Sequence, residues 1–164
     1  TSLATAGYAV YGMDPLRYLL HASTRNPLTP EQLAEDFNLL LQMLPSSPYI
    51  IAQPLASGLG LMWAAQNRQA KGIISVGRAQ AGLSMSHIFH NRNPHRFQLA
   101  RFVQNIAPSP LALVLQSGHP LGGNDDELGT LYQHSKLPNR LERFDKLSTE
   151  QLLSLLAWMQ EKQP

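Results

Sequence analysis

The chain has 164 residues, 43% of them apolar, no cysteine and a formal net charge of +2. That length supports one domain with a real core, burying roughly 70% of the unfolded surface. The missing cysteines exclude a disulfide framework, a thiolate nucleophile and any Cys-ligated zinc or iron–sulfur centre. An intracellular, cytoplasmic setting is compatible with that composition. A chain that opens on Thr1, with no basic and apolar leader, reads as a domain excised from a larger protein or as a processed one.

Residues 8–11 give a weak strand through Tyr8 and Val10. Asp14-Pro15 predicts a helix N-cap followed by proline at the first helical position, where its missing N–H costs nothing. Leu16, Leu19 and Leu20 then form one apolar side as far as Ser23, and Arg25-Asn26-Pro27 is a turn. Thr29-Pro30-Glu31-Gln32 has the form of a capping box, with Leu33, Phe37, Leu40, Leu41 and Leu44 at helical spacing and Pro45 as the stop. From Pro45 to Asn67 there is no charge, but three prolines and several polar residues interrupt the run of about 20 apolar residues that a membrane span needs. The expectation is a strand over 49–52 and a buried helix over 55–65, with Gly58 and Gly60 explained by close packing.

Gly72-Ile-Ile-Ser-Val76 is the best strand candidate, an apolar run bounded by glycines. A helix is expected through Ala81, Met85, Ile88 and Phe89, a turn at 91–94, and a second helix from Phe97 to Ile106. Residues 111–115 fit a strand or a buried helical turn, because periodicity does not decide so short a run. Residues 118–124 form a loop, and Asp125, Asp126 and Glu127 suit the positive end of a helix that continues through Leu128 and Leu131. Arg140–Lys146 reads as a mixed-charge segment, and Ser148-Thr-Glu-Gln151 repeats the capping box before a terminal helix. The fold class expected is a single α-rich α+β domain, about six helices packed on a small sheet.

The small net charge hides an asymmetry. Residues 37–124 carry Arg68, Lys71, Arg78, Arg92, Arg96 and Arg101 with no acid, while the flanking segments each carry two more acids than bases. Within that span Arg78, Arg92, Arg96 and Arg101 are interleaved with His87, His90, His95, Asn91 and Asn93. Arginine's planar fork suits phosphate or carboxylate, and Phe89 and Phe97 offer stacking surfaces if they are not core. No helix-turn-helix, RNA-recognition or zinc-finger pattern accompanies them, so the signal is electrostatic. The bland alternative is that the acidic ends fold back and neutralise the middle.

Other chemistry has thinner support. Residues 77–84 spell a phosphate loop with Leu83 where lysine belongs, so the charge for the outer phosphates is missing. His87 and His90 would share a helix face, and with His95 they suggest zinc, but a carboxylate such as Asp125, Asp126 or Glu127 would have to come from far along the chain. There is no Gly-x-Ser-x-Gly elbow; Ser57-Gly58 and Ser117-Gly118-His119 are isolated matches. The leading expectation is therefore a non-enzymatic binding module, without cofactor or metal, docking an acidic macromolecule such as nucleic acid or an acidic protein surface. A metal-assisted hydrolase through His87, His90 and His95 is the first alternative, and an assembly domain of a larger complex the second.

Overall fold

A computed structural model describes residues 2–22, 24–25, 29–79 and 98–163. Among them run α1 (Pro15–Ala22), α2 (Pro30–Gln42), β1 (Tyr49–Ala52), α3 (Ser57–Gln66), β2 (Gly72–Val76), α4 (Leu99–Phe102), β3 (Leu111–Gln116), α5 (Asp125–His134), β4 (Asn139–Phe144) and α6 (Thr149–Glu161). The four strands form one sheet in the order β1-β2-β3-β4, and every neighbouring pair is parallel. The expected architecture of about six helices on a small sheet is what the chain adopts. No helix among the described residues is long and apolar enough to cross a membrane.

Parallel pairing explains why the central strands are mostly apolar, since helices cover both faces and nearly every residue of those strands is buried on one side or the other. Residues 111, 113 and 115 of β3 join Ile73, Leu59 and Leu128 in the larger core, beneath α1–α5. Ala112 and Val114 turn the other way and meet Ile74, Val76, Leu155 and Met159 under α6. Both capping boxes form: Thr29 and Ser148 accept from the backbone N–H groups of Gln32 and Gln151, whose side chains reach back. Asp14 caps α1 by accepting from the N–H of Leu16 and of Arg17. Gly60 is where α3 lies on β1: a Cβ there would come within 2.7 Å of Ala52 Cβ.

Three expectations are corrected. Residues 8–11 are not a strand, because no neighbouring strand offers them a ladder among the described residues. Residues 139–144 are a strand, β4, despite their charges, because they occupy a sheet edge where Arg140, Glu142 and Arg143 reach water. The helix expected over 97–106 is one turn, α4, continued by a 3-10 turn at Val103–Asn105. Of the two forms open to residues 111–115, the strand is the one adopted. The helix through Ala81–Phe89 and the turn at 91–94 lie outside the described residues.

Candidate functional site

In an open parallel sheet, the loops leaving the carboxyl ends of the strands gather along one crest, where ligands bind in such folds. Here that crest is built from the turn after β1, Gly77 and Arg78 after β2, the loop after β3 and Asp145 after β4. Leu55, Arg78, Gln98, Leu121, Asp126 and Thr130 are among the residues that line a cleft of about 1000 Å³ there.

Leu55 is the unusual residue of this cleft. It lies in the short connection from β1 to α3 with φ +80°, and among the described residues it alone is a non-glycine with positive φ. A β-carbon in that region costs roughly 1–2 kcal/mol, so the surrounding packing has to impose it. The Ala56 N–H donates to the carbonyl of Gln53 at 2.9 Å and the Gly60 N–H to that of Ala56 at 2.8 Å, closing the turn directly into the helix. This strand, strained turn and helix is the geometry by which α/β-hydrolases expose a nucleophilic serine. The side chain presented here is an isobutyl group, which has no nucleophilic atom.

The nearby serine does not substitute for it. Ser57 is fully buried, and its hydroxyl is hydrogen-bonded to that of Ser75 on β2. At the far end of the crest, Ser117 donates to Asp145 Oδ1 at 2.6 Å, and His119 Nδ1 accepts from the Leu121 N–H at 3.0 Å. The serine thus bonds the carboxylate directly, while the imidazole accepts from the backbone of its own loop. A triad needs the imidazole between them to take the proton. The Ser57 and Ser117 matches in the sequence are therefore a core hydrogen bond and a loop hydrogen bond.

Of the sequence-derived basic set, Arg78 and Arg101 lie among the described residues. Arg78 sits on the cleft, with its Nε 3.7 Å from a Glu127 carboxylate oxygen. Gln98 lines the same cleft, and Arg101 is exposed one turn further on in α4. His87, His90, His95, Asn91, Asn93, Arg92 and Arg96 lie outside the described residues, as do Gly82, Leu83 and Ser84 of the phosphate-loop pattern. Gly77, its first glycine, has φ +80°, and a Cβ there would lie 2.3 Å from the Leu121 carbonyl oxygen. That contact with the β3–α5 loop accounts for this glycine without a phosphate. Asn124 caps α5 by accepting from the Glu127 N–H, and Asp125 pairs with Arg143 at 2.5 Å. Helix-start electrostatics accounts for the carboxylates of that turn. No group of three or more potential metal ligands occurs among the described residues.

Neither a family model nor a curated protein matches the chain. Among solved structures, it is similar to acetyl xylan esterase 1 from Thermoanaerobacterium sp. JW/SL YS485, with a TM-score of 0.53 and 11% identity over 81% of this chain. The match spans about half of that structure, 51% of its chain. At that identity the likeness concerns the fold: a parallel sheet with helices on both faces.

Proposed function

We propose that the chain is a non-enzymatic binding domain in which the basic, acid-free segment between Arg78 and Arg101 docks an acidic macromolecule over the crest of the sheet. The observation that carries the non-enzymatic half is Leu55, which holds the strained strand-to-helix turn where hydrolase chemistry needs a nucleophile. The structural neighbour is named as an acetyl xylan esterase; ester hydrolysis through such a turn would have to do without an attacking oxygen here. The binding half is supported by position. Arg78, just past β2, and Gln98, just before α4, flank the segment, and both residues line the crest cleft. Arg78 already faces Glu127, so the charge offered to a partner comes from Arg92, Arg96 and Arg101, with His87, His90 and His95 beside them.

Fluorescence-anisotropy titrations with a single-stranded oligonucleotide, a duplex and polyglutamate, at low and moderate salt, test this directly. Binding is expected to weaken steeply with salt, as counterion release requires, and to fall at least tenfold when Arg92, Arg96 and Arg101 are changed to alanine. No binding to any polyanion at low salt overturns the docking half. An acyl-enzyme burst with p-nitrophenyl acetate overturns the other half, as does near-stoichiometric zinc that disappears in His87→Ala/His90→Ala together with hydrolysis.

A further inference from the structure

The outer edge of β1 lies on the flank of the sheet, away from the crest. β1 pairs with β2 alone, so the N–H and C=O groups on its other side have no ladder partner among the described residues. Most sheet edges are protected by charge, proline or a covering element. The four residues of β1, Tyr-Ile-Ile-Ala, carry neither charge nor proline. Along this edge runs a cavity of about 930 Å³. Leu40, Leu44 and Trp63 wall it on one side and Leu152 and Leu156 on the other, and residues 7–13 form the outside. That outer segment is held to α6 by Gln160 Nε2 donating to the Tyr8 hydroxyl at 3.1 Å. Its Val10 and Tyr11 are 60% and 62% exposed.

We infer that this slot is a docking site for one additional β-strand supplied by another polypeptide segment, with an uninterrupted aliphatic run of about the length of β1. Size and polarity select this occupant. A five-residue strand, at ~3.3 Å rise, ~4.8 Å from its neighbour and ~10 Å between packed layers, occupies ~800 Å³, close to the 930 Å³ available. A purely apolar molecule would exclude water from the outward backbone groups of β1 and leave them unpaired, at about 1–3 kcal/mol for each group. A strand fills the same apolar volume and completes those hydrogen bonds. The sequence it must carry follows from the flanking layers. Ile50 and Ala52 face the larger core while Tyr49 and Ile51 face the α6 side, so both faces of the incoming strand meet apolar surface. Continuous Val and Ile satisfies both; alternation of apolar and charged residues satisfies one.

The test uses the whole chain and a synthetic peptide of five consecutive Val and Ile residues flanked by lysine pairs. Binding is followed by anisotropy, and amide hydrogen exchange over residues 49–53 by mass spectrometry. The aliphatic peptide is expected to saturate and to slow exchange at β1 at least tenfold. A version with proline at its centre, one with alternating Val and Lys, and one N-methylated along its pairing edge are each expected to bind at least tenfold more weakly. Because those controls alter the peptide alone, the stability of the chain does not enter. Equal binding by the proline or N-methylated peptide overturns the proposal. So does a fatty acid that displaces the peptide without slowing β1 exchange, which would make the slot a lipid site. Protection of β1 in the peptide-free chain, with a doubled mass in light scattering, overturns it in favour of a second copy.

Discussion

β4 places Arg140, Glu142 and Arg143 along one margin of the sheet, whereas β1 places Tyr49, Ile50, Ile51 and Ala52 along the other. On the β4 side Arg140 pairs with Glu142 at 2.5 Å and lies 5.3 Å from the centre of the Trp158 ring, and Arg143 pairs with Asp125. Those charges need water, so a strand cannot add there without burying them, which is how natural edges resist unwanted pairing. On the β1 side the strand itself carries no charge, Lys71 is the one charged residue among those described that lines the cavity beside it, and the aromatic layer beneath is closely packed: Phe37 stacks on Trp63 with ring centres 4.6 Å apart, and Tyr18 meets Trp63 edge-on. Two margins of one sheet are thus held by different forces, packing on one side and solvated charge on the other. Sheet position does not by itself dictate how an edge is treated.

The largest expected effect breaks the β1 margin from beneath. Gly60→Ala puts a methyl group within 2.7 Å of Ala52 Cβ, which is fixed to the strand backbone and cannot swing aside. Overpacking of this kind costs about 1–3 kcal/mol, against about 1 kcal/mol gained by removing a helical glycine. Urea unfolding should therefore show a net loss of up to about 2 kcal/mol. In an Ala52→Gly background the clash is gone, and the same substitution should become stabilising. If its sign does not change, α3 does not lie on β1 as described.

That contact was partly legible in the sequence, where paired glycines in an otherwise apolar helix already pointed to a close neighbour. The capping boxes at Thr29 and Ser148 were legible for a related reason: each is complete within four residues and needs nothing from the rest of the chain. Leu55 was not legible. Its positive φ is imposed by the packing of strand against helix, and leucine carries no local preference that signals it. A search for Gly-x-Ser-x-Gly looks for a serine between glycines, so it passes over Gln53-Pro-Leu-Ala-Ser57. β4 escaped because an edge strand with three charges in six residues fails the test of an apolar run. The basic constellation was visible as composition, and its attachment to the crest at Arg78 and Gln98 became visible only in three dimensions.

A smaller effect sharpens the contrast through pH. Burial raises the pKa of Tyr18, and its hydrogen bond to Asp36 at 2.7 Å raises it further. Burial likewise raises that of Tyr49 on β1. A tyrosine in the unfolded chain ionises near pH 10, where these two are still protonated in the folded one. The unfolded state then binds fewer protons, so stability is fully present below about pH 10 and falls as pH rises beyond it. Tyr18→Phe should lose about 1 kcal/mol at neutral pH with the hydrogen bond, and its stability should decline less steeply above pH 10 than that of the parent chain. Urea midpoints from pH 8 to 11 measure both. Equal slopes would mean that Tyr18 is not desolvated.

The smallest expected effect on stability lies at the β4 margin, and its consequence for association is the larger one. Changing Arg140, Glu142 and Arg143 to threonine removes two ion pairs that are partly open to solvent, each worth about 0.2–1 kcal/mol. It also removes the contact of Arg140 with Trp158, worth about 0.5–1 kcal/mol at such a site. Threonine's preference for strands, on a scale that spans ~1 kcal/mol per residue, offsets most of that over three positions, so the urea midpoint should move little, and raising salt should narrow the gap to the parent by screening its pairs. What should change is the edge itself. Without charge, β4 presents its outward backbone groups with nothing to repel a second strand, and sedimentation velocity should show concentration-dependent self-association beyond that of the parent chain. If the variant sediments as the parent does, the charges on β4 are not what keeps that margin unpaired, and the absence of charge on β1 loses its meaning as an invitation to pair.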